Sequence, residues 1–127
     1  MSVLVVGFDP IFQQSLINLL LICGMETFEV ASNGRKALEK ISKTLFDVVL
    51  INFFLPDTTG LQLAEELQKS EPNSKIILII EDQELSALDS VEQAKLNSPA
   101  ILKSFVNRVL PEMLADVNSM HDRKSKS

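Results

Sequence analysis

The feature that most constrains the fold is a regular alternation of short apolar runs with segments that have helical spacing. Five such runs occur along the 127 residues: "SVLVV", "TFEVAS", "DVVLI", "SKIILII" and "PAILK". They recur in units of roughly 25 residues, and between them the apolar residues return every three or four positions. This pattern predicts five strands that alternate with five helices, and therefore a parallel sheet with helices on both faces.

The runs differ in how they distribute apolar residues. "SVLVV", "DVVLI" and "SKIILII" are apolar throughout, which is typical of strands that are buried on both faces. "TFEVAS" alternates apolar with polar residues and predicts an exposed or edge strand. With right-handed crossovers, these features favour an α/β fold of the doubly wound (βα)5 flavodoxin-like type, a three-layer sandwich with parallel strand order 2-1-3-4-5.

The first helix has a clear start and an excess of apolar residues. Asp9 supplies an N-cap carboxylate, and Pro10 occupies the first helical position. Ile17, Leu21 and Ile22 exceed what one inward apolar stripe requires. We therefore expect the first and last helices to contact a partner or to form a homodimer with a second copy.

Size and charge limit the class of protein. The 127 residues fit one domain, which we assign to residues 1–118, with 119–127 as a polar tail or the start of a linker. A formal net charge of −5 disfavours direct nucleic-acid binding, which needs a basic face. The sole cysteine, Cys23, permits no intramolecular disulfide and fits a reducing compartment. No apolar run is long enough to span a membrane and no signal peptide is recognisable, so we expect a cytoplasmic location.

In such a sheet, the crevice between the carboxyl ends of the first and third strands is the expected site. Gly7, Phe8, Asp9 and Asn52 lie there. The segment "GFDPIFQQ" lacks the glycine spacing of a phosphate-binding loop, which disfavours nucleotide or flavin binding. Mg²⁺ prefers carboxylate ligands, and the one carboxylate among these residues is Asp9, whose position before Pro10 favours an N-cap over a metal ligand.

Four segments together resemble the receiver domain of two-component response regulators, in a chemotaxis-receiver-like form. They are "VLVVGFDP", "ASNGRKAL", "DVVLINFFLPDTTGLQL" and "ILKSF", and the resemblance extends from about Val3 to Val117. In that family an aspartate at the end of the third strand is phosphorylated, and an acidic pair after the first strand holds Mg²⁺. A Thr or Ser ends the fourth strand, a lysine before the last helix contacts the phosphoryl group, and an aromatic residue three positions earlier reports the state.

The resemblance places each of these functions on a residue of this chain. The phosphoacceptor corresponds to Asn52, and the acidic pair corresponds to Gly7 and Phe8. The Thr or Ser corresponds to Ile80, the aromatic residue to Ala100 and the lysine to Lys103. Of these, the lysine alone retains the family's residue type. The resemblance also implies a role in two-component or phosphorelay signal transduction.

These substitutions predict an atypical receiver, a pseudo-receiver that is not phosphorylated. An acyl phosphate needs a carboxylate nucleophile, and the amide of Asn52 is a poor one. Gly7, Phe8 and Asn52 offer Mg²⁺ no carboxylate, so we expect no cofactor, with Mg²⁺ binding lost or very weak. We therefore expect no catalytic residue, no metal site and no enzymatic activity. The expected partners are other signalling proteins or a C-terminal effector domain.

Other residues near the crevice have structural interpretations. Phe8, Phe54 and Ile80 are expected to form filled core, or an apolar plug over the phosphoacceptor position, rather than a new ligand pocket. Asp57 and Thr58 in "LPDTTG" are expected to act in a turn and in helix capping.

Lys103 is predicted to have a structural role rather than a catalytic one. Since the family's carboxylates are missing, its ammonium group needs another partner, such as Asp9, Glu81 or the Asn52 carbonyl, or else water. Ser104 follows it where the family has proline, which puts the cis peptide usual there in doubt.

Three classes of function stay open on the sequence. The favoured one is a receiver that acts by protein–protein interaction without phosphorylation. The second is a working phosphorelay receiver whose acceptor is a non-standard residue such as Asp9 or Asp57. The third is a flavodoxin-like binder of a small ligand, which the sequence favours least.

Overall fold

The structure, a computed structural model, describes residues 1–70, 73–84, 86–87, 89, 91 and 98–115. Within them, five parallel strands form a sheet of order β2-β1-β3-β4-β5, as predicted. The strands are β1 (Ser2–Val6), β2 (Thr27–Ala31), β3 (Val48–Asn52), β4 (Lys75–Ile80) and β5 (Ala100–Leu102). The helices with complete bounds are α1 (Pro10–Ile22), α2 (Gly34–Lys43) and α3 (Gly60–Ser70), and residues 106–115 form a further helix, the closing helix.

Alternate residues of the central strands enter two different cores. Val3 and Val5 of β1 pack with α1 and the closing helix, whereas Leu4 and Val6 pack on the other face with α2 and α3. Because helices cover both faces, β1, β3 and β4 are buried at nearly every position. This explains why their sequences are apolar without alternation, and it confirms the predicted doubly wound fold.

Helix α1 begins as its sequence predicts. The Phe12 N–H donates to Asp9 Oδ1 over 3.0 Å, and Pro10 occupies the first turn. Leu16 and Leu20 are buried against the sheet, where each such side chain contributes roughly 1.5–3 kcal/mol. None of the described helices, α1 included, is long and apolar enough to cross a bilayer.

The edge strand β2 and the neighbouring α2 also follow the prediction, with one correction. Glu29 of β2 pairs with Lys40 of α2 over 3.1 Å, and this ion pair places charge beside the free strand edge. The helical spacing of "NGRKALEKI" predicts Ala37, Leu38 and Ile41 on one inward face, but Leu38 is 37% exposed. At about 100° per residue, Leu38 lies at the margin of the stripe that is centred between Ala37 and Ile41, so it is only partly covered.

Several predicted features fall partly outside the described residues. The helical spacing of "ELSALDSVEQAKL" predicts that Leu85, Leu88 and Val91 face the core; Leu85 and Leu88 lie outside the described residues, and Val91 is buried as predicted. The sequence predicts a closing helix from about Val106 to Asn118, and the described part of this helix ends at residue 115. The predicted domain limit at residue 118 and the polar tail 119–127 also lie outside the described part of the chain.

Candidate functional site

The carboxyl ends of β1 and β3 lie side by side, which places their following residues in one crevice. The strands pair in parallel up to Val6 and Ile51. Gly7 follows β1, and Asn52 is the last residue of β3. The structure therefore brings together two of the positions at which the sequence placed the site.

The side chain of Asn52 is engaged as a hydrogen-bond donor. Its Nδ2 donates to the carbonyl oxygen of Gly7 over 2.9 Å, in a partly buried setting. A carboxylate cannot make this bond, because an ionised Asp has only acceptor oxygens. The amide of Asn52 thus connects the loop after β1 to the end of β3.

The backbone of Gly7 disfavours an acidic residue at position 7. Its φ is +80°, in the left-handed region, and a Cβ at this position would overlap Leu55 Cδ2. Its N–H donates to the Ala31 carbonyl over 2.9 Å, which holds the loop in place. An acidic residue at position 7 would therefore require both Leu55 and the backbone to move.

Phe8 packs on α1. Its ring lies 5.4 Å from that of Phe12, at an interplanar angle of 52°, and it packs against the core on the α1 side. Gly7, Phe8 and Asn52 together offer Mg²⁺ one neutral amide and no carboxylate, so these residues do not fit the ion. In the described part of the chain, no three His, Cys, Asp or Glu residues form a group that could hold a metal.

The two switch-equivalent positions, Ile80 and Ala100, lie in the sheet. Ile80 ends β4 and is fully buried in the α2–α3 core. Ala100 begins β5 opposite Leu78 and packs against the same core. Neither side chain carries a polar group, so neither could bind a phosphoryl oxygen.

Lys103 is held by three neighbours. Its Nζ lies 3.1 Å from Glu81 Oε1 and 3.7 Å from Asp9 Oδ2, two of the partners that the sequence suggested. It also lies 4.3 Å from the centroid of the Phe12 ring. The Glu81 pair and the ring contact are each worth about 1 kcal/mol or less at this exposure, so it is the convergence of contacts that fixes the ammonium group.

Asp9 joins this cluster to the start of α1. The hydrogen bond from the Phe12 N–H, with a smaller contribution from the Lys103 ammonium, lowers the pKa of the Asp9 carboxyl. The carboxylate is therefore both an N-cap, as predicted, and a neighbour of the retained lysine.

The residue after Lys103 ties the loop that follows β5 to the loop that follows β4. The Ser104 N–H donates to Asp82 Oδ1 over 3.0 Å, a bond that proline could not make. Hydrogen bonds from the Ser104 hydroxyl and N–H lower the pKa of Asp82, and the Lys103–Ser104 peptide bond is trans. With the Glu81–Lys103 pair, two contacts thus connect these loops side by side.

Of the two expectations for Phe8, Phe54 and Ile80, filled core is confirmed at Ile80, whereas the apolar plug over Asn52 is wrong. Phe8 packs on Phe12, Ile80 lies inside the sheet, and Phe54 is 51% exposed with its ring edge-on to Phe53 at 4.9 Å. Ile80 belongs to the core on the α2–α3 face of the sheet, Phe8 packs against the core on the α1 face, and Phe54 belongs to neither, because successive side chains along a strand point to opposite faces of the sheet.

Asp57 caps a helix, as predicted, but the helix is α2 and not the one that follows it. Its carboxylate accepts the Gly34 N–H over 2.9 Å and the Arg35 N–H over 3.0 Å, and these two bonds lower the pKa of Asp57. The cap of α3 is instead Thr59, whose Oγ1 accepts the Gln62 N–H over 3.1 Å. Sequence reasoning missed this role of Thr59, although a Thr just before an apolar periodic segment is a usable signal.

A cleft of about 520 Å³ opens between α2 and α3, away from the crevice of β1 and β3. Its walls are Gly34, Arg35, Leu38, Glu39, Ser42, Asp57, Thr58, Leu63 and Glu66. It does not coincide with the place where a flavodoxin-like ligand was considered, so it adds no support to that alternative.

Comparison with known proteins finds similarity to response regulators. The family model "Response regulator receiver domain" matches residues 3–115. The chain is similar to the "Chemotaxis protein CheY" of Thermotoga maritima, with 32% identity over 76 residues, 60% of this chain and 63% of the relative. It is also similar to the "Sensory transduction protein LytR" of Staphylococcus epidermidis, with 28% identity over 129 residues, 100% of this chain and 49% of the relative. The chain spans less than two thirds of the length of these curated relatives.

Solved structures with the same fold include several receiver domains. The receiver domain of AraT, a response regulator from Geobacillus stearothermophilus, superposes with a TM-score of 0.80 at 22% identity, covering 98% of this chain and 97% of that one. A CheY-like receiver domain protein from Methanospirillum hungatei gives a TM-score of 0.78 at 24% identity, covering 96% and 97%. At these identities the likeness shows the fold alone.

Proposed function

The chain belongs to the response regulator receiver domain family, and from that premise we propose that it is an atypical receiver that signals by protein–protein contact without being phosphorylated. The observation that carries the proposal is the 2.9 Å hydrogen bond from Asn52 Nδ2 to the Gly7 carbonyl. The phosphoacceptor-equivalent side chain is an amide that donates to the backbone, and it has neither the charge nor the free oxygen that an acyl phosphate requires.

The surroundings of Asn52 support the same proposal. Phosphoryl transfer needs a cation to neutralise the charge on the transferring group. The left-handed backbone of Gly7 and the packing of Phe8 on Phe12 leave no carboxylate to hold Mg²⁺ there. The proposal therefore includes the absence of bound Mg²⁺ and of enzymatic activity.

The two other acceptors considered from the sequence are already engaged. Both oxygens of Asp57 lie within hydrogen-bond distance of backbone N–H groups at the start of α2. Asp9 accepts the Phe12 N–H and faces the Lys103 ammonium. Hydrogen bonds and a neighbouring cation withdraw electron density from a carboxylate, so they disfavour its use as a nucleophile.

We propose that the surface that contacts partners keeps one conformation and is not switched by phosphorylation. The loops after β4 and β5 are joined through Glu81–Lys103 and Asp82–Ser104 without any phosphoryl group. The partners we propose are other signalling proteins, or an effector domain in a longer chain, as the greater lengths of the curated relatives suggest. A cytoplasmic location is part of the proposal.

The test is the intact mass of the purified protein after incubation with acetyl phosphate and Mg²⁺. We expect the mass to equal that of the untreated protein. A stoichiometric increase by one phosphoryl group would overturn the proposal, and loss of that increase in Asp9→Asn or Asp57→Asn would identify the acceptor. A receiver domain with an aspartate at the phosphoacceptor position, treated in parallel, shows that the reagent is active.

A further inference from the structure

The cleft between α2 and α3 lies apart from the crevice of β1 and β3. Its volume of about 520 Å³ falls within the range of ligand-binding clefts. One wall is a continuous face of α2, because its residues recur at helical spacing. They are Arg35, Leu38, Glu39 and Ser42, and Leu63 and Glu66 of α3 lie on the opposite wall. The cleft is therefore large enough to receive side chains of another protein.

Leu38 gives this cleft an apolar part. Its side chain is 37% exposed, and it lines the cleft together with Leu63. Because Leu63 is only 2% exposed, Leu38 supplies the larger share of the accessible apolar surface of these two residues. An apolar side chain of a partner that covered Leu38 would remove this surface from water, which is favourable.

The charged residues of the cleft are predominantly acidic. The carboxylates of Glu39, Asp57 and Glu66 line it with one guanidinium, that of Arg35, so its formal net charge is −2. Arg35 and Glu39 form an exposed pair at 3.7 Å. Glu66 is exposed and forms no ion pair with any residue that the structure describes. The cleft therefore has a carboxylate that is available to a cation.

The N-terminus of α2 also borders the cleft, and it is already occupied by an anionic group. Free N–H groups at a helix N-terminus normally favour an anion. Here the Asp57 carboxylate accepts the Gly34 N–H over 2.9 Å and the Arg35 N–H over 3.0 Å. A second anion would meet this carboxylate, so the cleft disfavours an anionic occupant and favours a cationic one.

We propose that the cleft binds a basic segment of a partner protein, with an arginine side chain at Glu66 and an adjacent apolar side chain on Leu38. The proposal rests on the proposed role in protein–protein contact and deepens it by naming the chemistry of the partner. A guanidinium presents several N–H donors that match carboxylate oxygens. The formal net charge of −5 attracts a basic partner at longer range, whereas it opposes an acidic partner or a second copy.

The test is a titration of the ¹⁵N-labelled full chain with the capped peptide acetyl-Ser-Leu-Arg-Leu-Ser-amide, followed through the backbone amide NMR signals. A short peptide buries less than the roughly 1,200 Å² of a stable interface, so we expect weak binding, up to the millimolar range. Saturable shifts should occur at Leu38, Glu39, Leu63 and Glu66. The same peptide with glutamate in place of arginine should cause none. Absence of saturable shifts with the arginine peptide, or shifts confined to other surfaces, overturns the proposal.

Charge reversal on α3 shows whether the arginine lies at Glu66. Glu66→Lys and Glu65→Lys change the net charge equally, and Glu65 precedes Glu66 on the same helix without lining the cleft. We expect Glu66→Lys to weaken peptide binding roughly ten-fold or more, and Glu65→Lys to weaken it less than about three-fold. Equal weakening by both would mean that the overall charge alone attracts the peptide, and would overturn the proposal. Circular dichroism of each variant verifies the fold.

Three further probes test the apolar contact and the kind of occupant. The peptide with glycine in place of both leucines should bind several-fold more weakly, and Leu38→Ala should remove most of this difference, because the two apolar groups act as a pair. An undiminished difference in Leu38→Ala would contradict the contact with Leu38. N-ethylguanidine that binds as tightly as the arginine peptide would show a small-cation site and overturn the choice of a protein segment. Shifts of the same amides on dilution of the protein alone would show that a second copy occupies the cleft, with the same consequence.

These outcomes are distinguishable from those of the phosphorylation test. A phosphoryl adduct on a chain that binds the arginine peptide in the cleft would refute the proposed absence of phosphorylation and leave this inference standing. A chain that takes no phosphoryl group and does not bind the peptide would overturn this inference alone.

Discussion

Asn52 and Asn33 have opposite hydrogen-bonding roles, one as a donor and the other as an acceptor. Asn52 donates through Nδ2 to the Gly7 carbonyl over 2.9 Å, whereas Asn33 accepts the Lys36 N–H through Oδ1 over 2.8 Å at the start of α2. Aspartate can replace an acceptor but not a donor, so the same substitution should have opposite effects at the two positions.

We expect Asn52→Asp to destabilise the fold by about 1–3 kcal/mol at neutral pH, because a carboxylate oxygen would then face the Gly7 carbonyl in a partly buried site. Asn33→Asp is the matched control and should be neutral or slightly stabilising, since Asp is an equally good N-cap and its charge favours a helix N-terminus. Urea denaturation at neutral and acidic pH measures both. The loss in Asn52→Asp should shrink in acid, where a protonated acid can donate. Equal effects at both positions would mean that Asn52 does not act as a donor.

Lys103, the retained lysine of the family, has contacts that join several elements of the fold. Its ammonium is held by Glu81, Asp9 and the ring of Phe12. Phe12 lies on α1, Asp9 is the N-cap of that helix, and Glu81 follows β4, so the lysine joins three elements at the carboxyl edge of the sheet. The identity of the residue is the same as in the family, and from these contacts we propose that it has a structural role.

Among the elements, the loop between β3 and α3 depends on a distant helix. Asp57 caps α2, which begins more than twenty residues earlier. Gly34 permits this approach, because a Cβ there would lie 2.7 Å from Thr58 Cγ2. The loop and the N-terminus of α2 therefore form one unit, and the charge of Asp57 also complements the helix dipole.

This unit predicts a pH dependence. The folded-state pKa of Asp57 lies below its ordinary value of 3.8, so the unfolded chain binds a proton first as the pH falls. The stability due to this carboxylate is present above that ordinary value and is lost as the pH falls through the folded-state pKa. Asp57→Asn should therefore lower stability at neutral pH and reduce the loss of stability as the pH falls below the ordinary pKa of 3.8.

The measurement is denaturant unfolding of both proteins across this pH range. Glu39→Gln is a suitable control, because it removes an exposed pair with Arg35 in the same helix and leaves the two backbone bonds to Asp57 in place. Parallel stability curves for the wild type and Asp57→Asn would refute the capping role.

For the molecule as a whole, the predicted consequence is indifference to Mg²⁺. A ligand that binds the folded state raises the unfolding temperature by mass action. Because the crevice holds no carboxylate from Gly7, Phe8 or Asn52, millimolar Mg²⁺ should shift the thermal midpoint by less than about 1 °C relative to a monovalent salt of equal ionic strength. A saturable rise of several degrees with Mg²⁺, absent with the monovalent salt, would show that other residues hold the ion.

The overall fold could be predicted because its signals are local. Apolar runs without alternation indicated the buried strands, alternation marked the edge strand β2, and Asp9 with Pro10 marked the start of α1. These features depend on the periodicity of neighbouring residues, which the order of amino acids contains directly. The residue types at the site, with an amide and no acidic pair, are likewise a property of the amino-acid sequence alone.

The contacts across the fold could not be predicted in the same way. The apolar plug did not form, Leu38 is partly exposed, and the helix that Asp57 caps is α2, which the sequence did not specify. The sequence suggested several partners for Lys103, and the structure selected Glu81 and Asp9 with the ring of Phe12 beside them. Such contacts depend on where loops far apart in the chain meet at the edge of the sheet, and that position is set by the packing of the whole molecule rather than by neighbouring residues.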